Sequence, residues 1–80
     1  MSVTLVFLGR LRDVANATEQ AVEAPLDWNS LLAVVGPRMA HELQDERVSV
    51  AVNGIVLTDR RVLEAADGDE VALLPPVSGG

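Results

Sequence analysis

Asn53-Gly54 lies directly between two short apolar runs, Val48 to Val52 and Ile55 to Leu57, and this placement commits the chain to a tight β-hairpin. Both turn residues adopt positive φ at little cost, which suits the right-handed twist of the flanking strands. A two-residue turn sets Val52 opposite Ile55, and side chains alternate across a strand, so the register follows. Val48, Val50, Val52, Ile55 and Leu57 are predicted on the core side, while Ser49, Ala51 and Val56 point away.

A lone hairpin is marginal in water, so the rest of the chain must supply further strands and a cover for the apolar face. Val3 to Leu8 alternates in the same way, with Val3, Leu5 and Phe7 on one face and Thr4, Val6 and Leu8 on the other, until Gly9 breaks it. Arg10 to Ala15 suits a short helical turn, and Thr18 to Glu23 suits an edge strand ending before Pro25. Asp27 is a good N-cap with Leu26 and Leu31 at the staple positions, which predicts a helix from Trp28 to Val35. Gly36-Pro37 stops that helix, and Pro37 opens a second short segment through Leu43. Asp67-Gly68-Asp69 turns the chain into a last strand, Glu70 to Leu74, with Val71 and Leu73 inside and Ala72 and Leu74 outside. Pro75-Pro76 ends it, because neither residue has an N–H to donate.

The order strand, strand, helix, strand, strand, strand predicts an α+β fold. It is a mixed sheet of about five strands with one main helix packed on one face, the β-grasp arrangement, whose first and last strands are parallel neighbours. A chain of 80 residues holds one such domain. Residues 1–74 are assigned to it, and residues 75–80 are left as an extended, flexible C-terminal tail.

Charge and composition narrow what such a domain can do. Twelve acidic residues against six basic ones give a net charge of -6, which repels nucleic acid and favours a basic partner surface. All six basic residues are Arg, so chains of this protein linked through its own lysines are excluded. Cysteine is absent, so no side chain can carry a persulfide or thioester, and no thiolate metal site can form. No apolar stretch approaches membrane-spanning length, and Met1-Ser2-Val3-Thr4-Leu5 shows no basic region ahead of an apolar run. A cytoplasmic protein without membrane or nucleic-acid partners is expected.

The tail Pro75-Pro76-Val77-Ser78-Gly79-Gly80 carries the clearest chemical signal. Fully extended it reaches on the order of 20 Å, enough to enter another protein's cleft. Paired prolines stiffen its base and reduce the entropy lost on docking. Terminal glycines have no Cβ, so they pass a narrow channel and leave the carboxylate unhindered. Two glycines end a chain by chance in roughly one case in 200, so the pair counts chiefly together with the fold and the prolines. A carboxylate becomes an electrophile once adenylated with ATP, after which a sulfur nucleophile on a partner can make a thiocarboxylate.

The run Asp67-Gly68-Asp69-Glu70-Val71-Ala72-Leu73-Leu74-Pro75-Pro76-Val77-Ser78-Gly79-Gly80 resembles the C-terminal signature of the MoaD family, ubiquitin-like sulfur carriers that are the small subunits of molybdopterin synthase. Phe7-Leu8-Gly9-Arg10-Leu11-Arg12-Asp13 resembles the family's first strand and Leu-Arg-Glu segment, with Asp13 in place of the usual Glu. Ala51-Val52-Asn53 resembles its central strand. Leu73-Leu74 stands where relatives often carry aromatic residues. The resemblance implies that Gly80 is adenylated by a ubiquitin-activating-like adenylyltransferase using ATP and converted to a thiocarboxylate with sulfur from a persulfide protein. It further implies that the tail enters a large catalytic subunit, in a complex of two small and two large subunits, and donates sulfur to cyclic pyranopterin monophosphate. The small subunit would then be a carrier, not an enzyme on its own, with no permanently bound cofactor. Carriers for thiamin, cysteine or tungsten-cofactor synthesis share the fold and ending, and a ubiquitin-like covalent modifier or a plain interaction domain with an inert tail are the other readings.

Val6, Leu8, Val56 and Leu74 fall on the face opposite the helix, beside Ala51 and Ala72, and predict a partner-binding patch. Arg12 reads equally as a partner contact or a solvated charge. His41 lies in a polar stretch far from any nucleophile and reads as a solvated helix residue, and Trp28 reads as packing. Asp67, Asp69 and Glu70 cannot supply the oxygen ligands a hard cation needs and read as a solvated turn.

Overall fold

In the computed structural model, whose described residues are 1–76, the alternating N-terminal run becomes β1 (Ser2–Phe7). Val3, Leu5 and Phe7 are buried, and Thr4 and Val6 lie half-buried on the opposite face. The chain then passes through α1 (Leu11–Ala15) and returns antiparallel to β1 as β2 (Glu19–Glu23). A short β3 (Leu26–Asp27) leads into α2 (Trp28–Val34) and α3 (Pro37–Leu43). After them come β4 (Ser49–Val52), β5 (Ile55–Val56), a 3-10 turn (Arg60–Val62), β6 (Glu64–Ala65) and β7 (Glu70–Leu74).

The main sheet has five strands in the order β2-β1-β7-β4-β5, with β1 and β7 parallel at its centre. The helices lie on the face that carries Val3, Leu5, Phe7, Val50, Val71 and Leu73, and Leu11, Leu31, Met39 and Leu43 complete the core from above. This is the α+β, ubiquitin-like β-grasp architecture. The helical layer is divided, because Gly36 takes φ +85 and Pro37 restarts the helix, giving two segments of seven residues each.

Local signals hold where local chemistry decides. The Asp27 carboxylate accepts from the Ser30 N–H and hydroxyl, each at 2.8 Å, and buried Leu26 and Leu31 flank the cap as a staple does. Asn53 and Gly54 take φ of +50 and +85, and Val52 pairs with Ile55 as the two-residue turn requires. Ile55 departs from expectation, because it is 71% exposed and not in the core. β5 is a two-residue edge strand beyond the helical layer, so the core-side position at its start has nothing above it; Leu57, further along, is half-buried against the core.

Arg60 closes the far end of α3. Its guanidinium donates to the backbone carbonyls of Asp45, Val48 and Gln44 and lies 5.0 Å from the centroid of the half-buried Trp28 ring. Carbonyls at a helix end lack intrahelical partners, so a planar, multiply donating cation is well matched to them.

The acidic residues with altered ionisation are structural. The Asp45 carboxylate is held at about 2, first by the side-chain hydrogen bond from Arg47 and then by its backbone N–H. Asp27, Asp59 and Asp69 are likewise shifted down, chiefly by hydrogen bonds from Ser30, Arg61 and the Ala66 N–H respectively. A folded-state value below the unfolded one stabilises at higher pH, and the contribution is lost as pH falls through the folded value. The melting temperature is therefore expected to decline between about pH 4, near the ordinary value of an aspartate carboxyl, and about pH 2. Asp45→Asn should make that acid limb shallower in a pH series of melting curves; an unchanged slope would show that this pair contributes nothing.

Candidate functional site at the end of the last strand

β1 and β7 stop at the same level, and each stops for its own chemical reason. Phe7 pairs with Leu73, and the Leu8 N–H donates to the Leu73 carbonyl at 3.2 Å, so the parallel register carries Gly9 up to Pro75. Pro75 has no N–H with which to continue the ladder, and Gly9 leaves the strand at φ +54. The two residues meet: a Cβ on Gly9 would lie 3.0 Å from Pro75 Cγ, whereas the Cβ position of Gly36, Gly54 and Gly68 is open. Pro75 and Pro76 are both half-buried.

The turn beneath Pro75 is internally tied. The Gly9 carbonyl accepts from the Arg12 N–H at 3.2 Å and from Arg12 Nε at 3.3 Å, and the Leu8 carbonyl accepts from the Leu11 N–H at 3.1 Å. Leu11 is fully buried, so the short helix is anchored in the core. The exposed Arg12 is thereby placed beside the strand end. Val77, Ser78, Gly79 and Gly80 lie outside the described residues.

On the sheet face away from the helices, strand register aligns Val6 with Ala72, Ala72 with Ala51, and Ala51 with Val56. These four form one row across four strands. Leu74 stands one row further along β7, opposite Ser49, with Leu8 beside it at the end of β1. Val56 is 54% exposed and Leu8 38%, while Val6, Ala72 and Leu74 are half-buried. Ala51 is only 5% exposed, because its methyl lies low between flanking side chains. The expected patch residues thus share one face, with Leu74 joining it to the tail.

The remaining candidates sit elsewhere. His41 is exposed on α3, whose neighbour Glu42 pairs with Arg10 at 3.0 Å and ties that helix to the start of α1. The Asp67 carboxylate accepts the Ser2 N–H at 2.7 Å, and Asp69 accepts from the Ala66 N–H at 2.9 Å and from the Asn53 amide at 3.0 Å. Among the described residues no cluster of His, Asp or Glu is arranged to hold a metal ion, and no helix is long and apolar enough to cross a membrane.

Sequence reasoning missed three features: the β3–β6 ribbon, the Arg60 clamp and the meeting of Gly9 with Pro75. The last was open to discovery, since two strand breakers ending parallel neighbours must fall at the same level once the register is known.

The chain is similar to known proteins along its whole length. The model of the ThiS family matches residues 5–80. The molybdopterin synthase sulfur carrier subunit of Escherichia coli K12 is 33% identical over 82 residues, spanning 98% of this chain and 99% of that protein. SAMP1 from Haloferax volcanii superposes with a TM-score of 0.73 at 30% identity, over the whole of both chains. A chain of the complex of subunits 1 and 2 of molybdopterin-converting factor from Helicobacter pylori 26695 gives 0.69 at 26% identity, again over the whole of both.

Proposed function

Since the chain belongs to the ThiS family, we propose that it is a sulfur carrier acting as the small subunit of a molybdopterin synthase. The observation that carries this reading is end-to-end similarity to a molybdopterin synthase sulfur carrier subunit, with the family match running through Gly79-Gly80. The layout of the strand end supports it, because Leu74 joins an exposed apolar sheet face directly to the Pro75-Pro76 base of the tail.

In this reading the one reactive group is the Gly80 carboxylate. A carboxylate oxygen attacks the α-phosphorus of ATP on an adenylyltransferase partner, and pyrophosphate leaves. The terminal sulfur of a donor persulfide then displaces AMP at the acyl carbon. A second thiol cleaves the resulting acyl disulfide, so the electrons come from that thiol and the product is a thiocarboxylate. The large subunit receives the tail and moves the sulfur to cyclic pyranopterin monophosphate in an assembly of two small and two large subunits, located in the cytoplasm. The carrier contributes shape and reach, and its partners contribute the catalytic groups.

Intact mass spectrometry after incubation with ATP, the activating enzyme and a persulfide donor tests the proposal. A gain equal to the mass difference between sulfur and oxygen is expected, and an unaltered mass with a competent activating system would refute it.

Docking is assigned to Val6, Leu8, Arg12, Val56 and Leu74. Leu74→Glu places a charge where that face meets the tail and should weaken binding to the large subunit on the order of tenfold to a hundredfold by titration calorimetry. The melting temperature of the isolated domain should move by no more than a few degrees, because Leu74 is outside the core. Wild-type affinity in the variant would remove this face from the interface.

The likeness to SAMP1, a small archaeal modifier protein by name, favours one second reading, a covalent tag joined to lysines of other proteins. A ladder of larger conjugates in place of a thiocarboxylate would support it. Carriers serving thiamin, cysteine or tungsten-cofactor synthesis would give the same mass gain but fail to restore molybdopterin formation with the large subunit.

A further inference from the structure

We propose that Gly9 is a positioning residue whose bare backbone seats Pro75 and so sets the direction in which the chain leaves the sheet after Leu74. Three observations carry this. Gly9 is at positive φ, and its Cβ position lies 3.0 Å from Pro75 Cγ, so a side chain there would require the proline ring to give by a few tenths of an ångström. The Gly9 peptide cannot retreat, because its carbonyl is held by the Arg12 N–H and Nε and the turn is anchored through buried Leu11. Pro75 in turn follows directly on Leu74, the last residue paired to β4.

The physical consequence concerns search volume. A hinge at Pro75 without a seat would let the tail sweep a wide cone, and docking would have to suppress that freedom each time. A seat fixes the position of Pro75 beforehand, so the tail is threaded from a fixed origin. Misplacement of a reacting group by about 1 Å can cost on the order of a hundredfold in rate, so even partial loss of aim should be measurable. The kinetic part of the inference rests on the sulfur-carrier reading; the structural part does not.

Gly9→Asn is the informative change, since Asn tolerates positive φ and the variant therefore isolates the clash with Pro75 from backbone strain. Pro75→Ala removes the contacted ring atom from the other side. The chain has no cysteine, so a nitroxide on Gly80→Cys reports the tail alone. With Gly9 and Pro75 intact, paramagnetic broadening of backbone amides should concentrate on one sector of the domain. Each single variant should spread it, and the double variant should spread it no further, because one contact is lost in all three.

In parallel, kcat/KM for thiocarboxylation, measured without the label, should fall on the order of tenfold in either single variant and no further in the double, with melting temperatures within a few degrees. Identical broadening in all four proteins, or rate losses that simply add, would overturn the proposal. Failure of the wild-type chain to gain sulfur would refute the carrier function, while the broadening maps would still decide the seat.

Discussion

Removal of Gly80 alone is expected to abolish sulfur loading while leaving the melting temperature of the domain unchanged. The two halves of that result have separate causes. Loading requires a carboxylate that can reach an enclosed adenylation centre, and truncation moves it back by one residue, roughly 3.5 Å, well outside bonding distance of the nucleotide. Drawing the tail one residue deeper to restore the reach would bring Ser78 to the position that Gly79 had occupied, so a Cβ would enter the path. Stability should be indifferent because, among the described residues, every buried apolar residue lies at or before Leu73. Mass spectrometry of the truncated chain with ATP, activating enzyme and persulfide donor should show no sulfur gain, and calorimetry should show a wild-type transition. Retention of loading would mean that Gly80 is not the reactive residue; a large fall in melting temperature would mean that the tail belongs to the fold.

Phe7→Ala is expected to produce the largest loss of stability of any truncation to alanine in the core, since Phe7 is the largest fully buried side chain. Phe7 is 1% exposed, lies on an interior strand of the sheet and pairs with Leu73 of the parallel neighbour. Truncating a buried Phe typically costs about 3–5 kcal/mol, because transfer free energy is lost and the cavity collapses only in part. A domain of this length has roughly 4–12 kcal/mol of total stability, so the loss is a large fraction of it. The melting temperature should drop on the order of 20 °C, and at the upper end the variant would be largely unfolded at room temperature. A drop of only a few degrees, read by circular dichroism, would contradict the packing described for β1. Because Phe7 precedes the Leu8-Gly9 turn by one residue, the variant should also blunt loading before it unfolds, through loss of the Pro75 seat.

Much of the fold was legible because its signals are local. Asp27 with Leu26 and Leu31 marked the start of α2 by cap and staple chemistry, and the helix ends within a residue of the expected Val35. Asn53-Gly54 set the hairpin register, and both residues take the positive φ that the turn demands. The alternation in β1 and β7 assigned Val3, Leu5, Phe7, Val71 and Leu73 to the core, where they are. The outer face was partly legible: Val6, Val56 and Leu74 were recognised as facing away, but which residues would align in one row depends on strand order.

Ile55 shows where local reading stops. Its register was right and its environment was not, since burial requires a covering element and, among the described residues, none buries Ile55 at the sheet edge. Arg60 was silent for a related reason, because its partners are backbone carbonyls of the Gln44 to Val48 loop, invisible to any pattern of side chains.

By itself the amino-acid order determined most of the strands and helices, which face of each is apolar, and that two prolines directly follow the last strand. Those properties depend on φ preference, hydrogen-bonding capacity and hydrophobic periodicity within a few residues. Tertiary structure decided that Gly9 would lie under Pro75, that Ser2 would be held by Asp67, and that Val6, Ala72, Ala51 and Val56 would align in one row. Contacts spanning most of the chain depend on how the sheet and helical layer superpose, a collective balance of burial against chain entropy that no short window of sequence contains.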